Sequence, residues 1–199
     1  MPPDHAPSLL ALIRDSVATP QAMAERLLRL RLPLGRVLEA VALVSVLDAL
    51  LVGTLGGGSF AVPMMDGSAL TVGPLAYAAL LAASLVLSAA AVQVAGQMLG
   101  GRGRLTESLL VIAWLEVVAL ADRLVQVLVL LLLPPLAGVV GLAGLAVLLW
   151  CLVHFVRVLH GFPGFGRTVG TLLLALLGIV IGLSMILGLF VAPAEAAHV

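Results

Sequence analysis

The sequence predicts an all-α, polytopic membrane helix bundle of about five transmembrane helices, preceded by a short amphipathic cytoplasmic helix. Three observations carry this prediction. Of the 199 residues, 62% are hydrophobic and 10% are charged, against roughly 45–50% and about 25% in soluble domains. Too little polar surface remains to face water, so the solvent of this chain is largely lipid. Separate apolar segments reach the length of about 20 residues that a helix needs to cross a bilayer. Arginine, finally, recurs on alternate sides of those segments.

The first 35 residues read as a cytoplasmic or interfacial segment. Residues 20–31 predict a helix with Thr19 as N-cap and Pro20 at the first helical position. Met23, Leu27, Leu28 and Leu30 make its apolar side, and Glu25, Arg26, Arg29 and Arg31 carry its charge. Such a helix suits the headgroup layer of an anionic membrane, or a seat against the protein's own cytoplasmic loops. Residues 8–17 suggest a second short amphipathic helix. The apolar run 9–13 is too short for a signal peptide and is followed by Arg14 and Asp15.

The transmembrane domain, 36–192, holds spans at 37–55, 74–99, 108–133, 136–156 and 168–191. Gly56, Gly57, Gly58 and Pro63 end the first. Gly100-Gly101-Arg102-Gly103-Arg104 separates the second from the third. Pro134-Pro135 forces a sharp turn, because proline removes a helical donor and restricts its predecessor. Gly161-Phe162-Pro163-Gly164 lies between the fourth and fifth, and 193–199 form a short extracytoplasmic tail. Arg14, Arg26, Arg29, Arg31 and Arg36 precede the first span, Arg102 and Arg104 follow the second, and Arg157 and Arg167 follow the fourth. The intervening loops have no arginine. By the positive-inside rule the N-terminus is cytoplasmic and the C-terminus extracytoplasmic, in a cell inner membrane.

Composition excludes several function classes. A formal net charge of zero argues against nucleic acid. One cysteine, Cys151, permits no internal disulfide and no multi-cysteine metal site, and reads as a small buried hydrophobe. All cations are arginine, which, with the Ala, Gly, Leu and Val richness, points to a GC-rich bacterial genome. There is no phosphate-binding Gly-Lys-Ser/Thr loop and no His-Glu-x-x-His pattern. His5, His154, His160 and His198 are scattered. Ser45, Ser84, Ser88 and Ser184 have no recognisable base. No catalytic residue, cofactor or metal ligand is therefore assigned.

Ionisable groups inside a bilayer are costly, so each needs a partner or a purpose. Glu39 sits three residues from Arg36 and predicts an interfacial pair. Asp48 lies deeper, with no cation on its own helix. In the third span Glu116, Ala119, Asp122, Arg123 and Gln126 fall within an arc of roughly 120°, a face that must point inward. Asp122 and Arg123 are adjacent and diverge, so Arg123 is expected to meet Glu116, two turns away, or Asp48. Acids outnumber this arginine, which leaves at least one to be neutralised by a proton. On the second span Ala89, Gln93, Gly96, Gln97 and Gly100 share a face. The Gly96/Gly100 and Gly178/Gly182 spacings permit close helix approach, with packing inside the bundle expected. Gln93, Gln97, Glu116 and His154 reach comparable depth, and predict either a polar pocket open to the cytoplasm or an internal hydrogen-bond network. The candidate network is Asp48, Gln93, Gln97, Glu116, Asp122, Arg123, Gln126 and His154.

Two short motifs carry a family resemblance. One is Gly100-Gly101-Arg102-Gly103-Arg104-Leu105-Thr106-Glu107, leading into the third span. The other is Trp150-Cys151-Leu152-Val153-His154-Phe155-Val156-Arg157-Val158-Leu159-His160-Gly161-Phe162, leaving the fourth. With the Pro-containing cytoplasmic helix and five spans, the chain resembles the bacterial branch of the Yip family from about residue 20 to 189. These are five-span proteins named for interaction with Ypt/Rab GTPases. The resemblance implies a shared fold. Eukaryotic members act in Golgi traffic, bind prenylated GTPases and carry an Asp-Leu-Tyr-Gly-Pro motif, which this chain lacks; its one tyrosine is Tyr77. No functional residue is transferred.

The expected function is that of a non-enzymatic Yip-like membrane protein, an interaction or accessory subunit for another membrane protein or a membrane-organising factor. Its partners would be the lipid bilayer and another membrane protein or a second copy, without nucleic acid. The alternative is a small transporter or channel using Asp48, Glu116, Asp122 and Arg123. No inverted repeat is apparent. An intramembrane enzyme is the least supported reading.

Overall fold

The computed structural model describes residues 7–55, 60–63 and 69–195. They form seven α-helices: α1 (Leu9–Ala18), α2 (Pro20–Arg29), α3 (Leu34–Leu55), α4 (Pro74–Met98), α5 (Leu105–Leu132), α6 (Ala137–His160) and α7 (Phe165–Glu195). Four segments are long and apolar enough to cross a membrane: Leu34–Thr54, Pro74–Met98, Pro134–His160 and Phe165–Gly182. α5 is not among them, as it carries Glu107, Glu116, Asp122 and Arg123. It is nevertheless about 42 Å long at 1.5 Å per residue, and it packs against α3, α4 and α6. The charged helix is thus a central one, shielded by apolar neighbours. Leu43, Leu87, Leu131, Leu142 and Leu173 point outward from the long helices, as lipid-facing side chains do.

The connections follow local chemistry. α3 ends at Leu55. Where the sequence suggested only a loop, β1 (Phe60–Pro63) and β2 (Ala69–Val72) pair antiparallel. Phe60 stacks on Tyr77 of α4 at 3.9 Å between ring centroids. A 3-10 turn, Pro134–Leu136, reverses the chain between α5 and α6. Gly56, Gly57, Gly58, Asp66, His5 and His198 lie outside the described residues.

Two helix ends share one device. Gly100 (φ +82°) and Gly161 (φ +66°) are left-handed, a conformation that glycine adopts without penalty. Gly101 N–H donates to the Gly96 carbonyl and Gly100 N–H to Gln97. At the end of α6, Phe162 N–H donates to Arg157 and Gly161 N–H to Val158. Both patterns are Schellman caps. Arg157 adds side-chain bonds to the Phe162 and Pro163 carbonyls and lies over the Phe165 ring at 4.7 Å.

The N-terminal helices are part of the packed structure. Ser8 caps α1 through Ala11 N–H. Thr19 occupies the N-cap position of α2, but its hydroxyl turns back to the Asp15 carbonyl and makes no cap bond. Pro20 holds the first helical position, where its missing N–H removes one of the donors a helix start leaves unpaired. Met23, Ala24 and Leu27 are buried in the core shared with Val111, Phe155 and Val156. Leu30, assigned to the same apolar side, is instead exposed, because α2 ends at Arg29 and the chain turns away. On α1, buried Ser16 accepts a bond from Trp114 Nε1 at 2.9 Å and donates to Leu12. Its carbonyl accepts from the Cys151 thiol at 3.2 Å. α1 is thereby tied to both α5 and α6.

Candidate functional site

α5 projects Arg123 toward α3, where it bonds two carboxylates at once. Its Nη1 donates to Asp48 Oδ1 of α3 and to Glu116 Oε1 of its own helix, the latter at 3.0 Å. The Asp48 side chain is 0% exposed and Glu116 12%, while Arg123 retains 37%. Asp48 therefore sits in the helix interface, and the arginine reaches in from a groove. That groove, a cleft of about 220 Å³, is lined by Leu51, Arg123, Gln126 and Ala137. It lies toward the end of the bundle that carries the α5–α6 turn. The second oxygen of Asp48 has no partner, nor does Ser45 one turn away on α3. One cation thus bridges two helices through a pair of acids, and removing the arginine would leave both acids without a cation in a buried setting.

Asp122 takes no part in this group. It accepts from Gln126 one turn on and presses against α6 at Gly144, where a Cβ would fall within 2.6 Å of its carboxyl carbon. Gly141 lies near the same amide. Adjacent on the helix, Asp122 and Arg123 serve α6 and α3 respectively.

The other candidates go elsewhere. Gln97 is exposed and donates to the Gly103 carbonyl at 3.3 Å. His154 Nδ1 contacts the Trp150 carbonyl at 2.8 Å and its ring packs on Trp150 and Phe165. Gln93 is half-buried. These residues and Glu116 do not assemble into one pocket. Glu116 instead lines a mostly apolar cavity of about 340 Å³ among α4, α5, α6 and α7, with Ser88 as the other polar side chain. Equal depth on different helices did not translate into contact: Glu116 bonds Arg123 and His154 the Trp150 carbonyl, each on its own helix, and Gln97 bonds the Gly103 carbonyl of the adjoining loop. The Arg36–Glu39 pair is present at 3.2 Å on the surface.

His160, one of the histidines that look scattered in the sequence, is the point where the two motifs meet. Its imidazole is 2% exposed and enclosed by Gly96, Gly101 and Gly103. Gly103 N–H donates to His160 Nδ1 at 3.3 Å, and Arg102 N–H to the His160 carbonyl at 3.2 Å. Phe162 stacks at 5.3 Å. The signal was in the sequence: a glycine cluster following α4 and a His-Gly-Phe run ending α6, which the fold brings to the same end of the bundle. Gly100, by contrast, is a turn residue, and Gly178 and Gly182 face open space within 4 Å. Close packing through glycine occurs at Gly96, Gly101, Gly103 and Gly144, and not at the second expected pair. Among the described residues no group of three His, Cys, Asp or Glu side chains could hold a metal ion.

Long apolar helices, an internal charge group shielded by them and short capped turns define a multi-pass α-helical membrane protein. Residues 15–186 match the Yip1 domain, and the chain belongs to that family, a family of non-enzymatic membrane proteins. The matched stretch begins near the end of α1, takes in the whole of α2 and ends within α7. No match was found among the curated proteins or the solved structures.

Proposed function

We propose that this protein is a bacterial, non-enzymatic member of the family that acts as an interaction or accessory subunit for another membrane protein, or organises the membrane around it. Five spans cross the inner membrane, α5 among them, with the arginine-rich end cytoplasmic. The observation that carries this reading is the concentration of exposed arginine at one end of the bundle. Arg26, Arg29, Arg31, Arg36, Arg102, Arg104 and Arg167 are all exposed there, on a surface built from α2, the starts of α3 and α7, and the α4–α5 loop. By the positive-inside rule that end faces the cytoplasm. The internal charges, in contrast, are engaged with each other, which fits a role in holding helices together.

The test is affinity purification of the tagged full-length protein in mild detergent, with mass spectrometry of what accompanies it. A stoichiometric membrane protein is expected, captured equally by Asp48→Asn. The Asp48–Arg123–Glu116 group favours one rival, a small transporter. Purification as a lone species, with flux in liposomes that Asp48→Asn or Asp122→Asn abolishes, would replace the accessory reading with that one.

A further inference from the structure

At the end of the bundle where α3 and α5 begin and α6 finishes, α2 and the chain following it roof a cavity of about 890 Å³. Its charged lining is Arg29, Arg31 and Arg104 with Glu25 and Glu107. The two acids are already engaged. Glu25 pairs with Arg29 at 3.2 Å, and Glu107 accepts from the backbone N–H of Arg104 at 3.0 Å, closing the first turn of α5. Among the described residues the Arg31 and Arg104 guanidinium groups form no ion pair. Apart from Thr106 the remaining wall is apolar, with Leu28, Leu110 and Val158 running down toward the core.

Arg31 has a backbone feature of its own. It follows the last turn of α2 with φ +46°, the one non-glycine residue of positive φ among those described. Left-handed backbone disfavours an L side chain, and glycine is the usual residue just past a helix end. Arginine in that place keeps its guanidinium at the cavity against a local conformational cost. Residues held so are commonly found at ligand sites.

We propose that this cavity binds the phosphate of an anionic lipid headgroup, with Arg31 and Arg104 as donors and the apolar wall receiving the first methylenes of an acyl chain. Guanidinium offers two parallel N–H groups to phosphate oxygens. A basic pocket between spanning helices, level with their ends, lies at headgroup depth. The apolar wall favours a lipid over free phosphate, which would leave that surface unused. The proposal rests on the reading of these helices as membrane-spanning and not on any protein partner, so failure to capture a partner leaves it standing.

The full-length protein is reconstituted in nanodiscs of phosphatidylcholine with a minority of phosphatidylglycerol, extracted gently, and its retained lipids are weighed by native mass spectrometry. Wild type is expected to retain phosphatidylglycerol well above its share of the disc. Arg31→Gln with Arg104→Gln should weaken that retention about 30-fold, the loss of two arginines acting near an anionic surface. Arg31→Gly with Arg104→Gln, which relaxes the backbone while removing the same charges, should lose it equally. Arg167→Gln, an exposed arginine outside the cavity lining, should retain it. An unselective wild type, a double variant that still selects, or an equal loss in Arg167→Gln would each overturn the proposal. So would displacement of the lipid by inorganic phosphate or glycerol phosphate at comparable concentration, which would mark a site for a soluble anion.

Discussion

Replacing Gly96 with alanine tests the His160 clasp by sign as well as by size. Gly96 lies in the last turn of α4, where helix propensity alone favours alanine by about 1 kcal/mol. The structure predicts the opposite outcome. A Cβ on Gly96 would fall inside contact distance of three imidazole atoms. The ring cannot step aside, because Gly101 and Gly103 close its other sides and would themselves admit no Cβ, with His160 atoms at 2.6–2.8 Å. Swinging it out would also break the Gly103 N–H to Nδ1 bond, worth about 1 kcal/mol net. Overpacking of this kind costs about 1–3 kcal/mol; the lost hydrogen bond and the propensity gain, each about 1 kcal/mol, offset one another, so Gly96→Ala should destabilise by about 1–3 kcal/mol. Cys151 is the chain's single cysteine and is 0% exposed, which makes it a built-in reporter. A fluorogenic maleimide reacts with it as the purified protein unfolds in detergent on heating. Gly96→Ala should lower the midpoint, whereas Gly178→Ala, with open space around it, should hold or raise it. His160→Ala destabilises by itself, but in combination it should make Gly96→Ala harmless. A Gly96→Ala protein as stable as wild type, or a combined variant in which the two losses simply add, would refute the clasp.

Three further outcomes follow from the internal contacts. Arg123→Met strands two acids and should destabilise by about 3 kcal/mol, the lower end for a broken buried pair since Arg123 is partly exposed; Asp48→Asn, which keeps an acceptor, should cost less in the same maleimide assay. Gly144→Ala drives a methyl into Asp122 and should cost about 1–3 kcal/mol, most of it recovered in the Asp122→Ala background. Ser16→Ala and Trp114→Phe should show a coupling of about 1 kcal/mol in a double-mutant cycle, with Cys151 labelling accelerating in either variant as α1 loosens; independent effects would remove the α1–α5 tie.

Much of the candidate site was accessible from helical geometry alone. Glu116 and Arg123 are seven residues apart, two turns of one helix, and contact at that spacing needs no knowledge of neighbours. The Asp48 contact was one of two choices for Arg123, since periodicity says which way a face points and not which helix it meets. Asp122 shows the limit. Its conflict with Arg123 was visible from adjacency, but its seat against Gly144 depends on how closely α6 approaches. Gln97 and His154 were grouped with Glu116 by depth, and local acceptors a few residues away outcompeted any longer reach.

Apolar segment length, breaker residues and arginine placement are properties of one chain in one solvent, and they were enough for the all-α class, the helix boundaries to within a few residues and the presence of helices before the first span. The hairpin between α3 and α4, the burial of Met23, Ala24 and Leu27 against α5 and α6, and the meeting of the two glycine-rich caps around His160 belong to the tertiary structure. Each depends on a distance between segments far apart in sequence. Spacing along a helix determines which side chains share a face; only packing decides what lies opposite.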